Sequence, residues 1–480
     1  MRKAVWKRWI RRLLLIQRVR SRSIVYPHSS LRHGTRALSN PYSYGKMGNG
    51  YNAPWVGSQV ARCAALWNEC PADPALLGPR YSRRDHEARE IAYDVEMRAV
   101  EWEARHAPRS VAARAETQDR LVASFGQFAA NALDLEPEST ALLTGDFLPA
   151  GIEFARRARE FDANLSQADT IQACRNAWTA CGLQPLLGVS SGITLSILGY
   201  SLLYPYSDNY LDSDAVPIHA KLHFSERFRE RLRGSVATPL NRHEAAVWEL
   251  VGLIEQQYPR ERFPAVFECL LAIHQAQEDS IAQQRNESLS DEELLFLSFA
   301  KGGTSVLADA ALARGWMTDE ESEVAFEWGA LLQLGDDLQD VCEDLKRGSL
   351  TLFTRAVQQG EPLDHVVLQL MSFCGMVATR MRRLTNGSGR LKDLLEMSWR
   401  SLIIGAIADA HEFFSPAFLT RAESCSPFRF KFLRARRNRL ASRQGLYTVL
   451  FDLFVQPFGA EVPKVSLQRN RPESCIAAAV

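Results

Sequence analysis

The chain has 480 residues, 46% of them hydrophobic and 24% charged, with a formal net charge of +1. That length can bury one large helical core or support two or three domains, and the balance is that of a soluble globular protein. The nine cysteines show no repeated metal-type spacing, and Cys63 and Cys70 are too far apart for a zinc knuckle, so a reduced, intracellular compartment is expected.

Residues 1–50 read as a basic, non-globular segment. No Asp or Glu occurs in the first 68 residues, while Arg and Lys crowd the stretch from Arg2 to Arg36. Three readings stay open: a mitochondrial-type presequence, a membrane-surface helix using Trp6, Trp9, Ile10 and Leu13, or a solvated extension. The expected location is accordingly cytoplasmic, with a mitochondrial address or peripheral membrane contact as alternatives. No stretch reads as long enough to cross a bilayer.

Residues 51–160 read as an N-terminal helical region, with Ser82 to His106 so charged that it should cover the side of a core. Residues 161–455 hold the richest apolar periodicity, and 456–480 read as a tail. Alternating Val-Ile-Thr runs flanked by turn pairs are missing, so the expected class is all-α. Ser290-Asp291-Glu292-Glu293 and Thr318-Asp319-Glu320-Glu321 both fit a capping box, and Ser166 to Asp169 is a weaker version. Gly315, Gly360 and Asn386-Gly387-Ser388-Gly389 mark stops or loops.

Chemistry-bearing residues follow in chain order. The apolar segment Gly192 to Tyr204 runs into Asp208 and Asp212, four apart and facing one way. His274 and Gln277 lie three apart on an apolar segment, where a satisfied core histidine is the simpler reading of His274. Lys301-Gly302-Gly303-Thr304 sits inside the helix opening at Ser290, and paired glycines there point to close backbone approach or a kink. Then Phe326 to Leu332, a core-like stretch, leads into Asp336, Asp337, Asp340, Glu343 and Asp344. Asp336, Asp340 and Asp344 share a helical face. Partly buried carboxylates at this density repel unless cations neutralise them. Either acidic group alone reads as a solvated helix end; two of them, each following an apolar helix, point to magnesium, which takes a few carboxylates, keeps waters and completes its shell with phosphate. The Gly-centred spacing of a calcium loop and the Glu-x-x-His pairs of a di-iron bundle are missing.

Taken in order, Asp208-x-x-x-Asp212, Gln277, Lys301-Gly302-Gly303-Thr304 and Gly335-Asp336-Asp337-x-x-Asp340 resemble the class I isoprenoid synthases, that is, the trans-prenyl diphosphate synthases and related terpene synthases. Glu343 to Gly348 is also similar to squalene and phytoene synthases. The resemblance, that of a divergent member, covers residues 165 to 415. It implies a barrel-like helical bundle with magnesium-bound diphosphate at its mouth and a hydrophobic pocket below. It implies that Asp208 and Asp212 hold one magnesium group and Asp336 and Asp340 the other. Arg175, Lys301 and Arg347 would be diphosphate donors, with Gln277 at the substrate.

Departures bear on the reaction. No arginine pair follows Asp212, the early Gly-Gly-Lys-Arg element is replaced by Cys174-Arg175-Asn176-Ala177-Trp178, and Asn209 stands where a second Asp is common. The expectation is therefore ionisation of a single isoprenyl diphosphate followed by cyclisation or quenching. An elongating or head-to-head prenyltransferase and a non-catalytic helical protein binding lipid or a partner are the alternatives. Trp178, Tyr204 and Phe299 are candidate walls around the cation. The basic run Phe428 to Tyr447 could close over the diphosphate or face solvent; nucleic acid is not an expected partner, and a homodimer is compatible with the reading.

Overall fold

The computed structural model describes residues 54–107, 111–211, 213, 216–280 and 289–455. Asp212, the N-terminal basic segment and the tail lie outside the described residues. Among the described residues the chain is all-α, without strands. In order, the helices are α1 Pro54–Asn68, α2 Arg83–Arg105, α3 Val111–Asn131, α4 Pro137–Leu142, α5 Leu148–Phe161, α6 Gln167–Leu186, α7 Leu195–Leu211, α8 Ile218–Leu232 and α9 Arg242–Gln257. They continue with α10 Pro264–Ser280, α11 Asp291–Arg314, α12 Asp319–Arg347, α13 Leu352–Gln358, α14 Asp364–Arg383, α15 Gly389–Asp409, α16 Pro416–Ser424, α17 Phe430–Ser442 and α18 Gln444–Val455.

Hydroxyl caps set the helix starts. Ser290 opens α11 and Thr318 opens α12 through full capping boxes with Glu293 and Glu321, satisfying backbone N–H groups that have no partner inside the helix. Ser82 with Asp85 and Thr351 with Thr354 form two more. Helix α11 stops at Gly315 (φ 89°) and α12 at Gly348 (φ 68°), the left-handed conformation that closes helices and that glycine adopts without strain.

Helix α11 runs through the middle of the bundle against α12, α10, α6, α1 and α7. By length and composition it is apolar enough to cross a bilayer, contrary to the expectation from sequence; 83% of its most apolar window is buried inside the protein, as a central core helix requires. Its glycine pair makes the closest helix contact. A Cβ on Gly302 would lie 2.3 Å from the Gly329 carbonyl oxygen, and one on Gly303 would meet the Phe326 ring at 2.5 Å. Gly302 and Gly303 therefore let α11 and α12 touch backbone to backbone, which fixes Lys301 on one helix relative to Asp336 on the other.

Helix α1 belongs to this same core: its Trp67 packs edge-on against Phe299 and Phe373. Helix α2 turns a charged face inward, burying Glu90, Glu96 and Glu101. Its partners are the arginines of the basic C-terminal run. Arg429 pairs with Glu90, Arg436 with Asp94 at 2.7 Å, and Arg439 and Arg443 both with Glu101. Arg437 pairs with Asp409 of α15. These arginines thus neither close over a diphosphate nor stand as a solvated basic face; they clamp α17 to α2. Two segments of opposite charge, each unusual alone, neutralise one another across more than three hundred residues of chain.

Candidate active site

Three helices bring their rows of side chains to one cleft. On α7, Tyr200, Tyr204 and Asp208 repeat every fourth residue and share a face; on α11, Lys301, Ser305 and Asp309 do the same. Helix α10 supplies His274 and Gln277. The cleft holds about 30 Å3 of free space, and Asn176, Tyr200, Tyr204, Asp208, Gln277 and Ser305 are among its lining. From Asp208 to Tyr200, or from Lys301 to Asp309, is eight residues, or about 12 Å along a helix.

The mouth gathers charge. Gln277 Nε2 donates to Asp208 Oδ1 at 2.8 Å, and Ser207 Oγ donates to the same oxygen at 3.2 Å. Arg175 from α6 lies 3.5 Å from Asp336 Oδ2 on α12. Tyr204 lines the same cleft as Asp208 and Gln277. Its hydroxyl is pushed up to about 12, first by desolvation, then by the charge of Asp208, with Lys301 and Arg175 pulling it down and Asp336 raising it. The phenol is densely surrounded, yet the residue keeps 39% of its surface open at the mouth. Asp208, Lys301, Arg175 and Asp336, from four helices, all lie close enough to Tyr204 for their charges to bear on its hydroxyl.

Asp340 is half-buried one turn beyond Asp336. Arg347 is exposed in the last turn of α12, eleven residues and roughly 16 Å along the axis from Asp336, so it stands apart from Arg175 and Lys301. Asp337, by contrast, is buried: Ser298 Oγ donates to it at 2.8 Å and Gln333 Nε2 at 2.7 Å. Burial raises its carboxyl to about 6. Asp337 ties α11 to α12 beneath the acidic face rather than facing solvent.

His274 is 2% exposed; its Nε2 donates to the Ser225 carbonyl at 3.1 Å, and Phe228 packs edge-on at 5.1 Å. Burial lowers its pKa to about 4, so the ring is neutral near pH 7. It is a core histidine, and it also forms part of the cleft wall. Of the three aromatic candidates only Tyr204 lines the cleft. Trp178 lies over Gly151 and donates to the Phe147 carbonyl at 2.7 Å, while Phe299 is fully buried against Phe373.

Deeper residues escaped the sequence reading. Asn176 Nδ2 donates to Asp309 Oδ1 at 2.8 Å and to Ser201 Oγ at 3.1 Å. Asp309 is 1% exposed, and burial pushes its carboxyl well above the usual carboxylate range. The single available signal was the spacing Lys301, Ser305, Asp309 on an otherwise apolar helix.

Among the described residues no group of three or more His, Cys, Asp or Glu side chains is gathered closely enough to hold a metal ion. Separated carboxylates of this kind suit magnesium shared with a phosphate ligand, since that ion binds through one or two carboxylates and keeps several waters. No protein-family model, curated protein or solved structure matches this chain.

Proposed function

We propose that the chain is a magnesium-dependent class I isoprenoid synthase that ionises an allylic isoprenyl diphosphate and lets the carbocation cyclise or be quenched. The observations that support this reading are two contacts, Gln277 with Asp208 at 2.8 Å and Arg175 with Asp336 at 3.5 Å, with Tyr204 near enough to feel the charges of both carboxylates, Lys301 and Arg175. Carboxylates from two separate helices, one of them paired with Arg175, suit a diphosphate bridged by divalent metal. Leu203, Phe228, Leu232, Leu270 and Ile273 give the cleft an apolar lining, the surface a hydrocarbon chain would need. The helical bundle is compatible with the same family.

In this reading Asp208 and Asp336, with Asp340 and Asp212, would hold magnesium, which would supply charge neutralisation as diphosphate leaves carbon. Arg175 releases Asp336 to meet a phosphate oxygen through its planar fork, and Lys301 contributes a point contact. Gln277 keeps the Asp208 carboxylate aimed at the mouth. Tyr204, neutral at physiological pH, closes the space between diphosphate and chain without adding charge.

The test is incubation of the purified protein with allylic diphosphates of several lengths, with and without magnesium. Metal-dependent diphosphate release with at least one length is expected, and no release with any length overturns the proposal.

A further inference from the structure

Helix α2 is amphipathic in the inverted sense. Its inward face buries Glu90, Glu96 and Glu101, while its solvent face is apolar. Ile91 is 65% exposed, Val95 50% and Trp102 54%, and Ala88 and Ala99 on the same side are exposed as well. A helix that serves one core does the opposite and turns its apolar stripe inward. These five positions advance by three or four residues at each step, the spacing of a seam that packs against another helix. From Ala88 to Trp102 the stripe runs about 21 Å along the axis, and continuous exposed apolar surface of this kind marks an interaction site. Trp102 is already ordered: the His106 ring stacks on it at 4.3 Å, and His106 Nδ1 lies 2.8 Å from the Trp102 carbonyl oxygen. Covering a side chain that is held in place loses little further entropy.

Charge decides what covers it. Glu87 is exposed at one end of the stripe and Arg105 at the other, with Arg98 exposed beside Val95. Two copies of α2 crossed antiparallel, Ile91 of each on Trp102 of the other, set Val95 against the aliphatic stem of Arg98 and bring Glu87 towards Arg105 at both ends. A parallel pair would set Arg98 against Arg98. An anionic bilayer would meet the exposed acids Asp85 and Glu87. We propose that α2 is a self-association face, through which two copies of the chain pack antiparallel about a two-fold axis between Val95 and Arg98. The same stripe then serves both partners, as a symmetric contact requires. The proposal is independent of whether the chain ionises a diphosphate. One helix pair is small beside the ~800 Å2 per partner of a standard interface, so the dimer is expected to be reversible, dissociating in the micromolar range.

Sedimentation velocity of the full chain from about 1 to about 100 µM, a range that spans micromolar affinity, tests this. The wild type is expected to pass from monomer to dimer. Val95→Glu, at a position open to solvent in the single copy, should weaken association at least about a hundredfold, because it brings like charges together across the axis, with the circular dichroism spectrum unchanged. Val95→Lys should do the same, and mixing the two variants should restore the dimer, which only a face that meets itself can do. Trp102→Ala, should either charged variant misfold, is expected to weaken the dimer in the same direction. A wild type that stays monomeric throughout, or a dimer that Val95→Glu leaves intact, overturns the proposal. So does a monomeric wild type that floats with phosphatidylglycerol vesicles and loses that binding in Val95→Glu, since the stripe would then belong to a membrane.

Discussion

Replacing Gly302 by alanine tests how the fold holds the site. The added methyl would sit 2.3 Å from the Gly329 carbonyl oxygen and 2.5 Å from Gln333 Cβ, where ordinary contact begins at 3.4 Å. The obstructing atom is backbone, so no side-chain rotation relieves it, and α11 and α12 must part by about 1 Å. Overpacking of this kind costs about 1–3 kcal/mol and occasionally more; the better helix propensity of alanine returns about 1 kcal/mol. A net loss of roughly 1 kcal/mol, up to about 2, is expected. Gly252, inside α9, is the control: a Cβ there meets nothing within 4 Å, so Gly252→Ala should stabilise by about 0.5–1 kcal/mol. Urea unfolding followed by circular dichroism measures both. If Gly302→Ala proves as stable as Gly252→Ala, the close approach of the two helices is wrong, and with it the fixed spacing of Lys301 and Asp336.

Glu327 is 1% exposed and, although Arg380 Nε lies 2.9 Å away, burial raises its pKa from 4.5 to about 7. The bound proton stabilises the fold fully below the ordinary value, and that contribution is lost as pH rises through about 7. Glu327→Gln should therefore match wild type near pH 4.5 and exceed it by about 3 kcal/mol at pH 8; a difference that does not change with pH contradicts this. Glu101, 2% exposed, takes Arg105, Arg439 and Arg443, so Glu101→Gln should cost roughly 3 kcal/mol and open the C-terminal helices to limited proteolysis, with an unchanged digestion pattern arguing against the clamp. Gln277→Leu removes a hydrogen bond to a carboxylate, worth about 1.5–3 kcal/mol, and should slow diphosphate release about tenfold or more with the melting temperature little changed. Full activity in that variant would remove Gln277 from the site.

Local physics was legible in the chain. Ser290 and Thr318 announce the starts of α11 and α12, because a cap is a matter of residues three apart. The pair Gly302-Gly303 announces close approach, because glycine is otherwise costly inside a helix. Of the residues the motifs single out, Gln277 bonds to Asp208 and Arg175 lies against Asp336, while Asp212 is outside the described residues and Arg347 is exposed at the far end of α12. What could not be read were pairings set only by tertiary structure. Glu101 and Arg443 gave no sign of each other, so α2 looked like an exposed flank and α17 like a loose basic helix. Asp337 and Asp336 are neighbours in sequence, and which of them turns inward depends on Ser298 from another helix. Asp309 hid in an apolar run, since its role depends on Asn176, far upstream.

The central claim is that two distant acidic helices form one diphosphate site. A double-mutant cycle on magnesium-dependent diphosphate release measures this most directly, using Asp208→Asn, Asp336→Asn and the pair together. One shared site predicts that each single change abolishes most of the release and that the double variant is scarcely worse than either. Independent, additive losses, or full release in either single variant, would contradict it.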